Sequence, residues 1–128
     1  MGIKVEISPN ELIDKITILE IKLEKINDTQ KKALVQVELD ILNKEFNDSI
    51  DDFGQVIKLK DELKNVNEKL WIIEDEIRIC EKNKDFGSHF IELARSVYKT
   101  NDVRAQLKND INTLLSSEIR EVKSYEHY

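Results

Sequence analysis

Four side chains near the middle of the chain have the types and spacing of a ligand site or an ionic network. Asn67, Trp71, Glu74 and Arg78 follow one another at intervals of four, three and four residues. On an α-helix this spacing places them in one line. A guanidinium suits phosphate or carboxylate, and an indole offers a flat apolar wall. The line therefore predicts a buried polar network, a ligand site or a solvated charged strip beside the apolar face.

The same segment carries an apolar stripe directly beside this line. The stripe consists of Leu63, Val66, Leu70, Ile73 and Ile77. Its period is that of an amphipathic helix whose apolar face packs on neighbouring helices. We therefore expect the polar line to run along the edge of a core.

A second polar group, Asn101, Arg104 and Lys108, lies in the last long helical segment. If that helix is straight, the three side chains interrupt its buried face, which costs free energy unless partners meet them. If the helix bends near residues 100–102, they lie at the margin of a new apolar stripe. Both alternatives place them at the core. The resulting candidate seam consists of Glu20, Asn67, Trp71, Glu74, Arg78, Asn101, Arg104 and Lys108.

Composition restricts the classes of partner. The 128 residues carry a net charge of −6, with 40% hydrophobic and 36% charged residues. A negative surface repels nucleic acid and anionic lipid, so we expect neither as a partner. The single Cys80 cannot form an internal disulfide and suits a reducing compartment. Because no signal peptide or membrane-length apolar run is present, we predict a cytoplasmic protein.

The residues for cofactor and metal chemistry are scarce. Two histidines, one cysteine and three glycines make a zinc site or a phosphate-binding loop improbable, so we expect no metal and no cofactor. One enzyme alternative is an all-helical, metal-dependent nucleotide pyrophosphohydrolase, which gathers acids from facing helices. The chain has Glu11 with Asp14 and Glu74 with Asp75, but it lacks the matched second acidic pairs.

The apolar periodicity predicts one all-α domain over residues 1–128. Four helices are expected at residues 9–26, 29–46, 55–82 and 88–115, as two hairpins of a mostly antiparallel four-helix bundle. Ser8, Pro9 and Glu11 form the pattern of a capping box at the first helix. Alternating Ile3, Val5 and Ile7 predict a strand over residues 2–8, for which the tail, residues 117–128, is a candidate partner.

Two helices carry isoleucines away from their main stripes. In the first helix Ile18 and Ile21 lie opposite the stripe, so that helix is either central in the bundle or lies between two subunits. We favour the second alternative. Ile72 and Ile79 project similarly from the third helix. Together these side chains predict a homodimer.

Several long strings of residues resemble a known family. The strings ELIDKITILEIKLEKI, LWIIEDEIR, DFGSHFIELARSVYKTNDVRAQLKNDIN and EVKSY resemble domain-of-unknown-function family 6165, made up of short bacterial and phage proteins. The pattern N-x-x-x-W-x-x-E-D-x-x-R is similar to a second uncharacterised helical family. The resemblance implies a helical fold and a genomic context of surface-polysaccharide assembly, without a reaction or ligand.

Two functional hypotheses follow. In the favoured one, the chain is a non-enzymatic, dimeric interaction or accessory module, and its seam is a self-compensating network that sets helix register. In the other, the seam is a pocket for an anionic small molecule such as a sugar phosphate or nucleotide sugar, bound or turned over there.

Overall fold

The protein is an all-α bundle, as predicted. A computed structural model describes residues 1–50, 53–117 and 122–128, without the Phe53 side chain. Its four helices are α1 (Pro9–Lys25), α2 (Thr29–Ser49), α3 (Phe53–Lys82) and α4 (Ser88–Leu114). Short connections join α1 to α2 and α3 to α4, and these two pairs pack as hairpins. No described helix is both long enough and apolar enough to cross a membrane.

Helix α1 is the centre of the bundle. It packs against each of the other three helices, and Ile13, Ile16 and Leu19 are buried in the main core. Ile21, expected at a subunit interface, is also buried within the chain, and Ile18 is half-buried. The hypothesis that α1 lies between two subunits is therefore wrong. On its second apolar face the chain itself buries Ile21 and covers Ile18 in part.

Helix α2 lies on the outside of α1. Its inner face places Leu39 and Phe46 in the core, and among the described residues its backbone runs beside α1 alone. Near its end α2 reaches α3, where Lys60 Nζ lies 5.6 Å from the centre of the Phe46 ring. A helix on the outside of a bundle ordinarily has one apolar face. The structure shows two, because Leu34, Val37 and Ile41 point outward and are exposed.

Helices α3 and α4 extend beyond the core as a projecting hairpin. At 1.5 Å per residue, they are about 45 and 40 Å long, against about 25 Å for α1. A separate small apolar cluster holds their far halves together, and its buried members are Ile73, Cys80 and Leu93. The far half of this hairpin is therefore a two-helix arm.

Helix α4 is unbroken from Ser88 to Leu114. The straight alternative is the one observed, because Lys108 and Ile111 are both buried on its inner face. Val103, which the bent alternative placed in an apolar stripe, is exposed. The polar side chains on this face therefore need partners in the core.

The predicted N-terminal strand is wrong. Residues 1–7 have no regular secondary structure, and Ile3, Val5 and Ile7 are exposed. The described tail, residues 122–128, is also irregular, and residues 118–121 lie outside the described part of the chain. Without a neighbouring strand, an alternating segment has no partner for its backbone hydrogen bonds. The tail instead attaches to α4, with Lys123 Nζ 2.7 Å from Asp102 Oδ1 and the Tyr128 ring on Tyr98.

Candidate functional site

Four polar side chains join α1, α3 and α4, namely Asp14, Thr17, Asn67 and Arg104. We call this group the polar cluster. The Arg104 guanidinium pairs with both carboxylate oxygens of the buried Asp14. Asn67 Nδ2 donates to Asp14 Oδ1 at 2.8 Å and to Thr17 Oγ1 at 2.9 Å. Thr17 Oγ1 in turn donates to the Asp14 carbonyl at 2.7 Å. Every member thus has a partner, as buried polar groups require.

A second buried contact joins the start of α1 to the end of α4. The first N–H groups of a helix have no partner within it. Here the N–H of Asn10 donates to Asn112 Oδ1 at 3.0 Å, and Asn10 Nδ2 donates to the Lys108 carbonyl at 3.2 Å. The expected capping box does not form, since Ser8 makes no side-chain cap. Asn112 of α4 supplies that cap from a distant part of the chain.

Lys108 lies between these two contacts and is buried. Its Nζ is 3.1 Å from Glu11 Oε1, and Glu11 is the residue expected to complete the capping box. Burying an ammonium group requires an acid or several hydrogen-bond acceptors close by. Glu11 is thus committed to an ion pair between helices. Because Arg104 likewise pairs with Asp14, two cations of the candidate seam each have an acid of α1 as their partner.

Other members of the predicted seam lie elsewhere. Glu20 pairs with α3, with Oε1 3.4 Å from Lys60 Nζ and Oε2 3.9 Å from Lys64 Nζ. Glu74 and Arg78 pair with each other at 2.8 Å within α3, and both are largely exposed. Exposed pairs of this kind contribute little stability. The line from Asn67 to Arg78 is therefore buried at its start and solvated at its end.

An open groove lies beside the polar cluster, where α1 meets the α3–α4 hairpin. Its volume is about 460 Å³. Asn67, Trp71, Glu74, Asn101 and Arg104 line it, so the structure brings five predicted site residues together. The remaining lining residues are Ile18, Ile21, Leu70, Asp75 and Val97. The surface of the groove is therefore mostly apolar, and its polar lining groups include two acids, Glu74 and Asp75.

A second cavity lies between α4 and the tail. Its volume is about 420 Å³, and Arg104, Lys108 and Lys123 all line it, together with Asn101. Three cations in one cavity suggest an anion site. Each of the three is paired with an acid, however: Asp14, Glu11 and Asp102, respectively. The local charge is close to balanced.

Sequence reasoning missed the acid at the centre of the polar cluster. The predicted seam takes its acids from Glu20 and Glu74 and does not include Asp14. A signal was present, because Asn10, Asp14, Thr17 and Ile21 are spaced by four, three and four residues. That spacing matches the line recognised on α3, and it continues into an isoleucine. Polar residues in register with a core isoleucine share its buried face.

Cys80 and the acids at the start of α1 are engaged within the fold. Burial, together with the nearby Asp85 and Glu76, raises the pKa of the Cys80 thiol, and a protonated thiol is a weak nucleophile. In the described ranges, no three His, Cys, Asp or Glu side chains converge as a metal site would need. Glu11 and Asp14, an acidic pair considered for a metal, bind cations of α4 instead.

Comparison with known proteins identifies the family of the chain but gives no reaction or ligand. No curated protein matches the chain, and no solved structure does. One family model matches residues 3–128, which is essentially the whole chain and includes the polar cluster and both cavities. This match confirms the resemblance seen in the sequence. The chain belongs to DUF6165, a family of unknown function.

Proposed function

We propose that the protein is a non-enzymatic helical interaction module, which forms a homodimer and binds a further protein through the groove. The apolar floor of the groove carries this proposal. Ile18, Leu70 and Val97 line the groove beside Trp71, and they are open to a partner. Apolar surface that a chain leaves open in a concave site is suited to an apolar partner segment.

The charges around the groove favour the same conclusion. Its ionisable lining groups are Glu74, Asp75 and Arg104. Because Asp14 neutralises Arg104 and Arg78 neutralises Glu74, Asp75 leaves a negative excess. A negative rim repels phosphate and attracts a basic segment. The partner we propose is therefore an amphipathic segment with apolar side chains flanked by lysine or arginine.

Photo-crosslinking in the host cell tests this binding. A benzophenone amino acid replaces Trp71 in the groove, and a control variant carries it at Glu62, which is exposed on the same helix. We expect one discrete protein adduct from position 71 and none from position 62. The purified partner should then change the fluorescence of Trp71, the one tryptophan of the chain. Equal labelling from both positions would overturn the proposal.

The link to surface-polysaccharide assembly comes from the family resemblance alone. It identifies proteins of that machinery as the first partners to test. The homodimer has a different basis in the fold, because apolar side chains away from the groove remain exposed, both on α2 (Val37) and on α3 (Ile72 and Ile79). A light-scattering mass equal to one chain at every concentration would remove the dimer from the proposal and leave the groove.

A second candidate function is binding of an anionic small molecule, and the three cations of the tail cavity favour it. Thermal melts with nucleotide sugars and sugar phosphates separate the two functions. Ligand at about 100 times its Kd adds about 2.7 kcal/mol of stability, which shifts the melting temperature by several degrees. We expect no shift. A shift that Arg104→Ala abolishes and Arg78→Ala retains would establish the anion site instead.

A further inference from the structure

The outer face of α2 is an apolar stripe that nothing in the described chain covers. Leu34, Val37 and Ile41 are 73%, 61% and 63% exposed. Their spacing of three and four residues is that of a coiled-coil seam. By contrast, Ile72 and Ile79 on α3 are 46% and 57% exposed and lie seven residues apart. The α2 stripe is therefore the denser of the two apolar surfaces.

We infer that α2 pairs with α2 of a second copy in an antiparallel arrangement; this inference rests on the homodimer of the proposed function. In the register we assign, Leu34 packs against Val37 of the second copy, and Val37 packs against its Leu34. Ile41 then lies over Gln30 at either end. Each copy overlaps the other over residues 29–42, which is about 20 Å of helix.

The charges beside the stripe select this arrangement. In an antiparallel pair, equivalent flanking positions of the two helices face each other. The assigned register brings Lys31 opposite Glu38 twice, and it leaves Asp40 opposite the uncharged Ala33. A parallel pair would instead place Asp40 next to Glu45 of the second copy, twice. Opposite charges across the α2–α2 contact favour the antiparallel pair, and like charges disfavour the parallel pair.

Lys31 and Glu38 can both reach a second copy. Lys31 is exposed, and no ion pair is described for it; Glu38 binds Lys15 at 2.8 Å and is 44% exposed. A carboxylate can accept from two ammonium groups, so Lys31 of the second copy adds to that pair. The overlap is short, which places the interface among the small, weak ones. The dimer should therefore form in the micromolar range rather than the nanomolar range.

Sedimentation equilibrium from about 5 to 500 μM measures the dimer, and Val37→Asp is the main variant. We expect it to raise the dimer dissociation constant at least about tenfold, since it places a carboxylate against Leu34 of the other copy at two points of the interface. Circular dichroism should show an unchanged melt at dilution, because Val37 is exposed in the single chain. Ile72→Asp is the matched control on α3 and should leave the constant unchanged.

The charged pair provides a reciprocal test. Lys31→Glu faces Glu38 of the second copy and should weaken the dimer several-fold, whereas Lys31→Glu with Glu38→Lys should restore it. Disulfide trapping then checks the register in a Cys80→Ala background. Leu34→Cys mixed with Val37→Cys should give the mixed disulfide in preference to either symmetric one, since these positions are the ones placed in contact.

The outcomes separate this inference from the proposed function. A dimer that Val37→Asp leaves intact and Ile72→Asp abolishes would overturn the α2 interface and keep the homodimer. A single-chain mass up to 500 μM would overturn both the interface and the homodimer, while groove binding remains tested by the crosslinking. Symmetric Leu34→Cys disulfides would overturn the antiparallel arrangement alone.

Discussion

Helices α1 and α2 both carry apolar residues on two faces, but only α1 has neighbours within the chain for both. Around α1 stand α2, α3 and α4, so even Ile21 is buried. Helix α2 packs on α1, and Leu34, Val37 and Ile41 remain exposed. Two apolar faces therefore show that a helix needs two sets of neighbours. They do not show whether the same chain supplies both.

The polar residues of the two helices differ in the same way. Asp14 and Glu11 of α1 bind α4, and Thr17 binds α3. On α2 the ion pair of Lys44 and Asp48 lies within one helix, and the pair that Glu38 makes with Lys15 of α1 is exposed. Inter-helix polar contacts set the register of α1 in the bundle. Breaking them should cost far more than changing α2.

The largest expected effect comes from removing the cation that holds Asp14. Arg104→Ala leaves a buried carboxylate without its charge partner, so we expect a loss of about 3–5 kcal/mol in the free energy of unfolding. Urea denaturation measures it. The control is Arg78→Ala, whose exposed pair with Glu74 should contribute at most about 1 kcal/mol. Similar losses from both variants would contradict the central place of the polar cluster.

Matched truncations on α1 and α2 compare the two helices directly. Ile16→Ala empties a fully buried site and should cost about 2–5 kcal/mol. Ile41→Ala removes an exposed side chain and should change stability by at most about 0.5 kcal/mol. Both are measured by denaturation at submicromolar concentration, where the single chain dominates. A large cost for Ile41→Ala under those conditions would place α2 inside the fold of one chain.

The cap supplied by Asn112 should have a smaller effect. Asn112→Ala leaves the buried N–H of Asn10 without this acceptor, so we expect a cost of about 1–3 kcal/mol. Asn109→Ala is the control, because it is exposed on the same helix and tests helix propensity alone. Hydrogen exchange should show faster exchange at Asn10 in the first variant. Unchanged exchange there would show that the cap does not protect the start of α1.

The smallest effect concerns the ion pair that attaches the end of α1 to α3. Lys64 Nζ lies 2.8 Å from Glu24 Oε1, and this hydrogen bond lowers the pKa of Glu24. A lowered pKa stabilises the fold above the ordinary value of 4.5, and that stabilisation is lost as pH falls through the lowered value. Glu24→Gln should therefore lose less stability than the native protein between neutral and acid pH. Denaturation at several pH values measures the difference; parallel curves would mean that the pair contributes nothing.

The sequence by itself determined the helices and much of the groove. The 3.6-residue period of apolar side chains can be seen within a single segment. It therefore shows which side of each helix is apolar. Trp71 and Asn67 on α3, and Asn101 and Arg104 on α4, were recognised because they border such stripes. The structure brings these four side chains to one groove.

Tertiary structure alone decided which partners those faces meet. Arg104 pairs with Asp14 across 90 positions of sequence, and Asn112 caps Asn10 across 102. The alternation at Ile3, Val5 and Ile7 predicted a strand, but the described chain offers no second strand with which it could pair. The physical reason is the same in each case. Periodicity records how one segment divides its own surface, whereas burial and hydrogen-bond partners depend on where distant segments pack in space.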